Sequence, residues 1–231
     1  MKTMVRAGIT LALCAALFVP ATSRAAEDAG TAADTSEVSA VPEAPTAKVL
    51  RVEGTAEIKG PSDTQFSPVS AGTILPMAGT FRVNAGAKAQ LELPNGGILL
   101  LREFSLVRLD QLSKDDNSKI SIPVGEFLIG FKAPVPTGKV FQVQTPAVVA
   151  GVRGTLFWGL ADADMTSTFA SFHDTVTLEA QGKTVELSPG TVSATKFGEA
   201  PANPAAHNIP LEYVNNFAVE GDLQGLPDIL K

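Results

Sequence analysis

The sequence predicts an all-β domain made of many short strands. Between residues 47 and 198, short apolar or alternating runs are separated by Gly or Pro every few positions. No window there keeps apolar residues at i, i+3, i+4 and i+7 without such an interruption, so the pattern of an amphipathic helix is missing. Faint internal repeats favour a roll or a short solenoid-like stack of strands, and a two-sheet β-sandwich is the alternative.

Residues 1–25 have the three parts of a secretory signal peptide. A positively charged start is followed by an apolar stretch over residues 7–19, and Ser23 and Ala25 are small residues at the positions a signal peptidase reads. The stretch is shorter than the roughly 20 apolar residues that cross a bilayer, which disfavours an uncleaved membrane anchor. We therefore expect a periplasmic or secreted protein in a Gram-negative-type envelope.

The predicted mature chain is acidic. Cleavage removes Lys2, Arg6 and Arg24 and no acidic residue, which changes the formal net charge from −6 to −9. A chain of this charge without a basic cluster lacks the positive footprint that nucleic-acid binding requires. The only cysteine, Cys14, leaves with the leader. Disulfides, thiolate nucleophiles and cysteine-based metal sites are therefore excluded from the mature chain.

Two flanking segments differ in composition from the central region. Residues 26–46 are rich in Ala, Glu, Asp, Ser and Pro, and have too few large apolar side chains to offset the entropy of ordering them. They predict a disordered acidic linker. Residues 199–231 begin as a Pro/Ala-rich linker and end in a tail where Leu211, Val214 and Phe217 follow helical spacing. We expect this short, partly helical tail to pack on its domain, with a detachable partner-binding segment as the alternative.

Within residues 47–198 the predicted strands follow each other closely. The segment 94–97, Pro-Asn-Gly-Gly, is a strong hairpin signal because an Asn-Gly pair between apolar runs favours a tight turn. The runs predicted to form strands are residues 49–52, 56–58, 81–83, 89–93, 98–101, 120–122, 127–129, 141–145, 155–158, 175–178 and 184–187.

The most distinctive stretch covers residues 141–157. Its marked residues are Thr145, Pro146, Gly151, Val152, Arg153, Gly154, Thr155 and Phe157. Pro146 lacks an N–H and predicts the end of a strand, while Gly151 and Gly154 permit backbone angles or close approaches that other residues forbid. Arg153 lies among apolar neighbours, where a guanidinium can hold a tight corner by bonding carbonyls or a carboxylate. A ligand-binding arginine is the alternative.

This stretch resembles the signature of the FecR domain, in which Thr-Pro is followed by Val-Arg-Gly-Thr-x-Phe, and the resemblance covers roughly residues 49–195. The resemblance implies a periplasmic β module. Well-known members join it to a transmembrane helix and a cytoplasmic segment that controls a sigma factor, and they receive a signal from an outer-membrane siderophore transporter. We expect this chain to lack those two parts, and its module to bind another envelope protein through a surface to which the marked residues contribute.

Candidates for catalysis are few. Ser171, His173 and Asp174 are close in sequence, but neighbours on a strand point to opposite faces, so we expect His173 and Asp174 to diverge. His207 lies in the Pro/Ala-rich linker, where we expect it to be solvated. The sequence therefore predicts no catalytic residue and no cofactor.

The acidic clusters and the aromatic residues also have structural explanations. The acids around Asp116 and Asp162 match hairpin turns, in which Asp and Asn bond their own backbone, better than calcium loops. We therefore predict no metal site. The aromatic residues Trp158, Phe169 and Phe172 are expected to fill the core, and a sugar-stacking face is the alternative.

Three functions remain at this point. The leading one is a non-enzymatic, protein-binding or signalling-accessory module of the cell envelope. The others are a glycan- or cell-wall-binding module and an unrecognised hydrolase.

Overall fold

The structure, a computed structural model, describes residues 46–154 and 156–210 together with Tyr213, Asn216 and Phe217. The predicted leader, nearly all of the predicted acidic linker, Thr155 and the rest of the tail lie outside the described residues. No helix within the described part of the chain is long and apolar enough to span a bilayer.

The described residues form 17 strands, which confirms the predicted all-β class. In chain order they are β1 (Ala47–Glu53), β2 (Ala56–Lys59), β3 (Ser67–Pro68), β4 (Ile74–Leu75), β5 (Thr80–Val83), β6 (Lys88–Glu92), β7 (Gly97–Leu101), β8 (Leu106–Gln111), β9 (Ser118–Phe131), β10 (Phe141–Gln144), β11 (Val149–Val152), β12 (Leu156–Ala161), β13 (Thr166–His173), β14 (Val176–Ala180), β15 (Lys183–Leu187), β16 (Thr191–Lys196) and β17 (Ala205–Ala206).

The strands form two sheets that share β9. In sheet A the order is β4-β1-β6-β7-β9-β12-β13-β16-β17, and all neighbours are antiparallel. In sheet B the order is β3-β2-β5-β8-β9-β10-β11-β14-β15, where only β9 and β10 run parallel. The chain crosses between the sheets repeatedly, as from β1 to β2 and from β7 to β8. The predicted roll of short strands is thus built as two sheets.

Strand β9 corrects the prediction of two separate strands at residues 120–122 and 127–129. Its first half pairs with β8 and β10 in sheet B, and its second half pairs with β7 and β12 in sheet A. Pro123 does not end the strand, because it lies where the pairing between β9 and β8 is irregular. At such a position the missing backbone N–H of proline breaks no hydrogen bond between the strands. Gly125, with a φ of +129°, lies between the two halves, and a Cβ there would lie only 2.4 Å from Ser105 Oγ.

The main core lies between the two sheets, and the alternation of each strand supplies it. In β8, for example, Val107 and Leu109 are buried in this core. The rings of Phe127, Phe157 and Phe169 are fully buried and contact one another, with centroids 5.8 to 6.3 Å apart. The core-filling prediction for Phe169 is therefore confirmed, and Phe157 fills the same core.

A second apolar cluster covers the outer face of sheet A. Its buried members are Ile98, Leu100, Leu128, Leu156, Trp158, Ala170 and Phe217. Ile209 and Tyr213 pack against them from the tail, and Phe217 is 0% exposed. Trp158 and Phe172 therefore lie in a cluster that the tail covers, rather than on an open sugar-binding face.

The carboxylate of Glu126 connects the tail to sheet A. Glu126 Oε1 accepts hydrogen bonds from Trp158 Nε1 at 2.9 Å and from Tyr213 Oη at 2.7 Å. Glu126 Oε2 accepts one from Arg102 Nη1 at 3.0 Å. Burial, and after it the nearby carboxylate, raises the pKa of Tyr213 above its ordinary value.

The prediction that His207 is solvated is wrong. His207 Nε2 lies 3.1 Å from the carbonyl oxygen of Ser171, and Nδ1 accepts a hydrogen bond from Ile209 N at 3.2 Å. The ring also meets Phe172 edge-on at 5.3 Å between centroids. The reason is β17, which pairs with β16 and so brings the linker back along sheet A.

Replacing Gly125 with alanine should destabilise the domain by about 3 kcal/mol. The new methyl group would clash with Ser105, and the alanine backbone would have to adopt a positive φ, which residues with a Cβ disfavour. Chemical denaturation followed by circular dichroism measures the change. Gly72→Ala is the control, since Gly72 also has a positive φ but nothing lies within 4 Å of an added Cβ. The control should lose only about 1 kcal/mol, and equal losses would contradict the close contact at Gly125.

The pKa of Tyr213 should lie above the ordinary tyrosine value, and Glu126→Gln should lower it, because the amide removes the negative charge and leaves the burial. Tyr213 is the only tyrosine of the chain, so ultraviolet absorbance reports its ionisation alone. Since the folded-state pKa is raised, packing of the tail is most stable below the ordinary tyrosine pKa and weakens as the pH rises through the raised value. An unshifted titration in the unmodified protein would contradict this contact.

Candidate functional site

A groove with a volume of about 800 Å³ opens on the outer face of sheet B. The register of the strands brings together the side chains that form its floor. Lys59 on β2 pairs with Thr80 on β5, which pairs with Arg108 on β8. Arg108 in turn pairs with Ser121 on β9, which pairs with Gln144 on β10. Five adjacent strands thus place one outward side chain each in a row, which extends for roughly 20 Å because neighbouring strands lie about 4.8 Å apart. We call this surface the sheet B groove.

Two phenylalanines line the sheet B groove. Phe66, just before β3, lies over the guanidinium of Arg82 at 4.0 Å and near Lys59 Nζ at 5.3 Å. Phe104 lies in the turn between β7 and β8 and is 63% exposed. The other apolar lining residues are Val83, Ala85, Leu106, Pro123, Val124 and Pro146. The groove is thus an apolar surface with cations along it.

Phe104 has a conformation that folding alone does not explain. Its φ is +60°, a value that side chains with a Cβ disfavour, and glycine occupies most of the positive-φ positions in the described residues. Its ring also remains in water, where an aromatic side chain gains nothing from burial. Glycine would satisfy the same turn without either cost. Met165 in the β12–β13 turn also combines exposure with a positive φ, but Phe104 does so beside a groove.

Glu57 fixes one of the cations of the groove. Glu57 Oε2 accepts hydrogen bonds from Arg82 Nε and from Asn84 Nδ2, both at 3.0 Å. The bond from Arg82, and after it the bond from Asn84, holds the pKa of Glu57 below its ordinary value. The Arg82 guanidinium is therefore held between a carboxylate and the ring of Phe66.

Asp110 fixes a second cation in the same way. Its carboxylate accepts hydrogen bonds from Arg108 Nε and from the hydroxyl of Ser121. Each arginine of the groove thus has a carboxylate that holds it in place. Lys59 adds a third positive charge beside Phe66.

The marked residues of the sequence motif are divided between different surroundings. Thr145 and Pro146 lie at the β10 end of the sheet B groove, where Thr145 Oγ1 donates to Val148 O at 3.0 Å and closes the turn. Gly151 and Arg153 line a second groove of about 420 Å³ further along sheet B. The motif therefore does not form one site.

The remaining motif residues are structural in their placement. Val152 and Phe157 are buried in the core between the sheets. Gly154 has a φ of +108°, and a Cβ there would lie 2.6 Å from Pro134 Cα. The side chain of Arg153 is exposed, and its backbone carbonyl accepts a hydrogen bond from Val135 N at 3.0 Å. Thr155 lies outside the described residues.

His173 and Asp174 do not diverge as predicted. His173 Nδ1 lies 3.0 Å from Asp174 Oδ2, because β13 ends at His173 and Asp174 has a φ of +59°, which turns the chain. The hydroxyl of Ser171 donates to the carbonyl of Asp174 at 2.7 Å. The serine is therefore used to fix the turn, while the His–Asp pair lies at the surface.

The acidic segments are turns, as predicted. Asp164 Oδ1 accepts from Thr166 N at 2.7 Å in the β12–β13 turn, and Asp116 Oδ1 accepts from Asn117 N at 2.7 Å in the β8–β9 connection. Among the described residues, no three His, Cys, Asp or Glu side chains are grouped so that they could hold a metal ion.

Apart from Thr145 and Pro146, sequence reasoning missed the residues that line the sheet B groove. Lys59, Arg82 and Arg108 are outward positions of three different strands, and only the register brings them together. The available signal was Phe104 beside Glu103 in a short loop, a large apolar residue at a position where a turn would favour glycine.

Residues 79–193 match the family model described as FecR protein. Two crystal structures from Parabacteroides distasonis ATCC 8503, each provisionally described as an anti-sigma factor, are 20% identical with a TM-score of 0.49. They cover 58% and 59% of this chain, which spans 63% and 62% of theirs, less than two thirds of their length. No curated protein matches the chain.

Replacing Arg82 with glutamine should raise the pKa of Glu57 toward its ordinary value, because Arg82 is the main cause of the lowering. NMR titration of the side-chain carboxyl measures it. Since the folded-state pKa is lowered, the contact stabilises the fold above the ordinary Glu pKa and loses its contribution as the pH falls through the lowered value. Asp164 is the internal control, because the hydrogen bonds that lower its pKa come from Thr166 and do not involve Arg82. A matching shift at Asp164 would mean that the substitution disturbs the whole fold.

Proposed function

We propose, starting from the FecR domain that residues 79–193 form, that the protein is a signalling-accessory module of the cell envelope that binds another envelope protein. The FecR family is regulatory rather than enzymatic. We place the binding surface at the sheet B groove. In this proposal the protein catalyses no reaction, and it is exported by the leader that residues 1–25 predict.

The exposed ring of Phe104 is the observation that supports this most directly. Protein interfaces concentrate aromatic residues and arginine in the patch that becomes buried, and their energy comes from a few such residues. The sheet B groove has this composition, because it is lined by Phe66, Phe104, Arg82 and Arg108 together with smaller apolar side chains. A partner that covers Phe104 would supply the burial that the free protein lacks.

The hydrolase alternative has less support. The hydroxyl of Ser171 donates to a backbone carbonyl, which leaves it oriented toward the turn rather than toward the imidazole of His173. A nucleophile needs the reverse arrangement, in which the base accepts its proton.

A photoreactive phenylalanine analogue in place of Phe104 should crosslink a specific partner in envelope extract when the full-length protein is used. The reason is that a partner that fills the groove has to cover this ring. Mass spectrometry identifies the crosslinked protein. The matched control carries the analogue in place of Met165, which is also exposed (49%) and also has a positive φ, but lies in the β12–β13 turn.

The same product from both positions would indicate nonspecific contact. The absence of any product that depends on position 104 would sink the proposed function.

A further inference from the structure

We infer that the sheet B groove binds an extended, acidic segment of the partner protein. In this arrangement its carboxylates pair with Lys59 and Arg108, and its apolar side chains pack against Phe66 and Phe104. This inference rests on the proposed function and specifies the chemistry of the ligand.

The cations of the groove are local exceptions on an acidic protein. The chain has a formal net charge of −6, yet Lys59, Arg82 and Arg108 all line the groove. Each guanidinium has five N–H donors in a fixed plane, and the intramolecular contacts that hold these two arginines use only some of them. The remaining donors are oriented before a ligand arrives, so a carboxylate that binds them costs less side-chain entropy.

The spacing along the groove suits an extended chain. Lys59 and Arg108 are two strands apart in sheet B, which is roughly 10 Å. Carboxylates two or four residues apart on the same side of an extended peptide are roughly 7 or 13 Å apart. The side chains of Lys59 and Arg108 are long and flexible enough to reach carboxylates at either spacing. When the two carboxylates are four residues apart, the side chain midway between them lies on the same side of the peptide and also faces the groove.

A glycan fits the same surface less well. The groove has several polar side chains, but the hydroxyl of Ser121 donates to Asp110, the amide of Asn84 donates to Glu57 and the hydroxyl of Ser105 donates to Glu126 O. The charged donors that remain are the unused N–H groups of Lys59, Arg82 and Arg108, and they bind a carboxylate more strongly than a neutral sugar hydroxyl.

Fluorescence anisotropy with the full-length protein tests this inference. The probe is a labelled eight-residue peptide with Glu at positions 2 and 6, Leu at positions 4 and 8 and Ser elsewhere, so that the Glu and Leu side chains share one face of the extended chain. The comparison peptides replace Glu with Gln or with Lys. We expect the acidic peptide to bind about tenfold more tightly than the Gln peptide, which corresponds to about 1.4 kcal/mol, and to bind more weakly as salt rises. Lys59→Gln should remove part of this preference.

The decisive variant is Phe104→Gly, which should weaken binding of the acidic peptide about tenfold. Glycine accepts a φ of +60°, so this variant should fold at least as well as the unmodified protein. Met165→Gly makes the same change at another exposed positive-φ position and should leave binding unchanged. A labelled hexasaccharide of N-acetylglucosamine is the glycan probe.

Equal binding of the acidic and Gln peptides, or unchanged binding by Phe104→Gly, would overturn the inference. Binding of the hexasaccharide without binding of any peptide would assign the groove to glycans instead. If no peptide binds but crosslinking at position 104 still captures a partner, the ligand chemistry is wrong and the proposed function stands. If both experiments fail, neither survives.

Discussion

The structure depends on the bend in β9, since this one strand has to pair in both sheets. At Gly125 the strand leaves sheet B and enters sheet A, and Ser105 occupies the space that a side chain would need. The hydroxyl of Ser105 then donates to Glu126 O and closes this contact. Because the strands on either side take their register from β9, the bend determines which side chains face the shared core and which face outward.

The same bend connects the two outer surfaces of the domain. Immediately before Ser105, Phe104 stands beside the sheet B groove, and immediately after Gly125, Glu126 holds the tail on sheet A. The two surfaces differ in whether the described chain covers them. On sheet A the tail covers the apolar face, and Trp158 gains both burial and a hydrogen bond. On sheet B the described chain leaves the aromatic ring of Phe104 in water. The surface that the described residues leave uncovered is the one we propose for a partner.

Local pattern was enough to predict the class and many of the strands, because the period of two and the turn residues act within a few positions. The 94–97 hairpin and the β12–β13 turn follow from such signals. Pairing between distant strands was not predictable, because it depends on the register of the whole sheet. Three features depend on this register: the path of β9 through Pro123, the contact of His207 and the row from Lys59 to Gln144. The motif includes a close backbone approach between Gly154 and Pro134, and its other residues lie in different surroundings, which local pattern could not indicate.

Net charge gave only a partial guide to the ligand. An acidic chain disfavours a long polyanion, which would extend beyond the groove and over the acidic surface. A short acidic segment ends within the groove, where Lys59, Arg82 and Arg108 lie close to it. At physiological ionic strength charges are screened beyond about 8 Å, so distant acids act weakly on such a segment. Within the groove Glu57 and Asp110 offset part of the charge of Arg82 and Arg108, and Lys59 and the guanidinium donors left unused attract the carboxylates of the segment. Under the inferred mode of binding, an acidic chain that disfavours nucleic acid still accepts a carboxylate-bearing peptide, because the size of the ligand decides between the two.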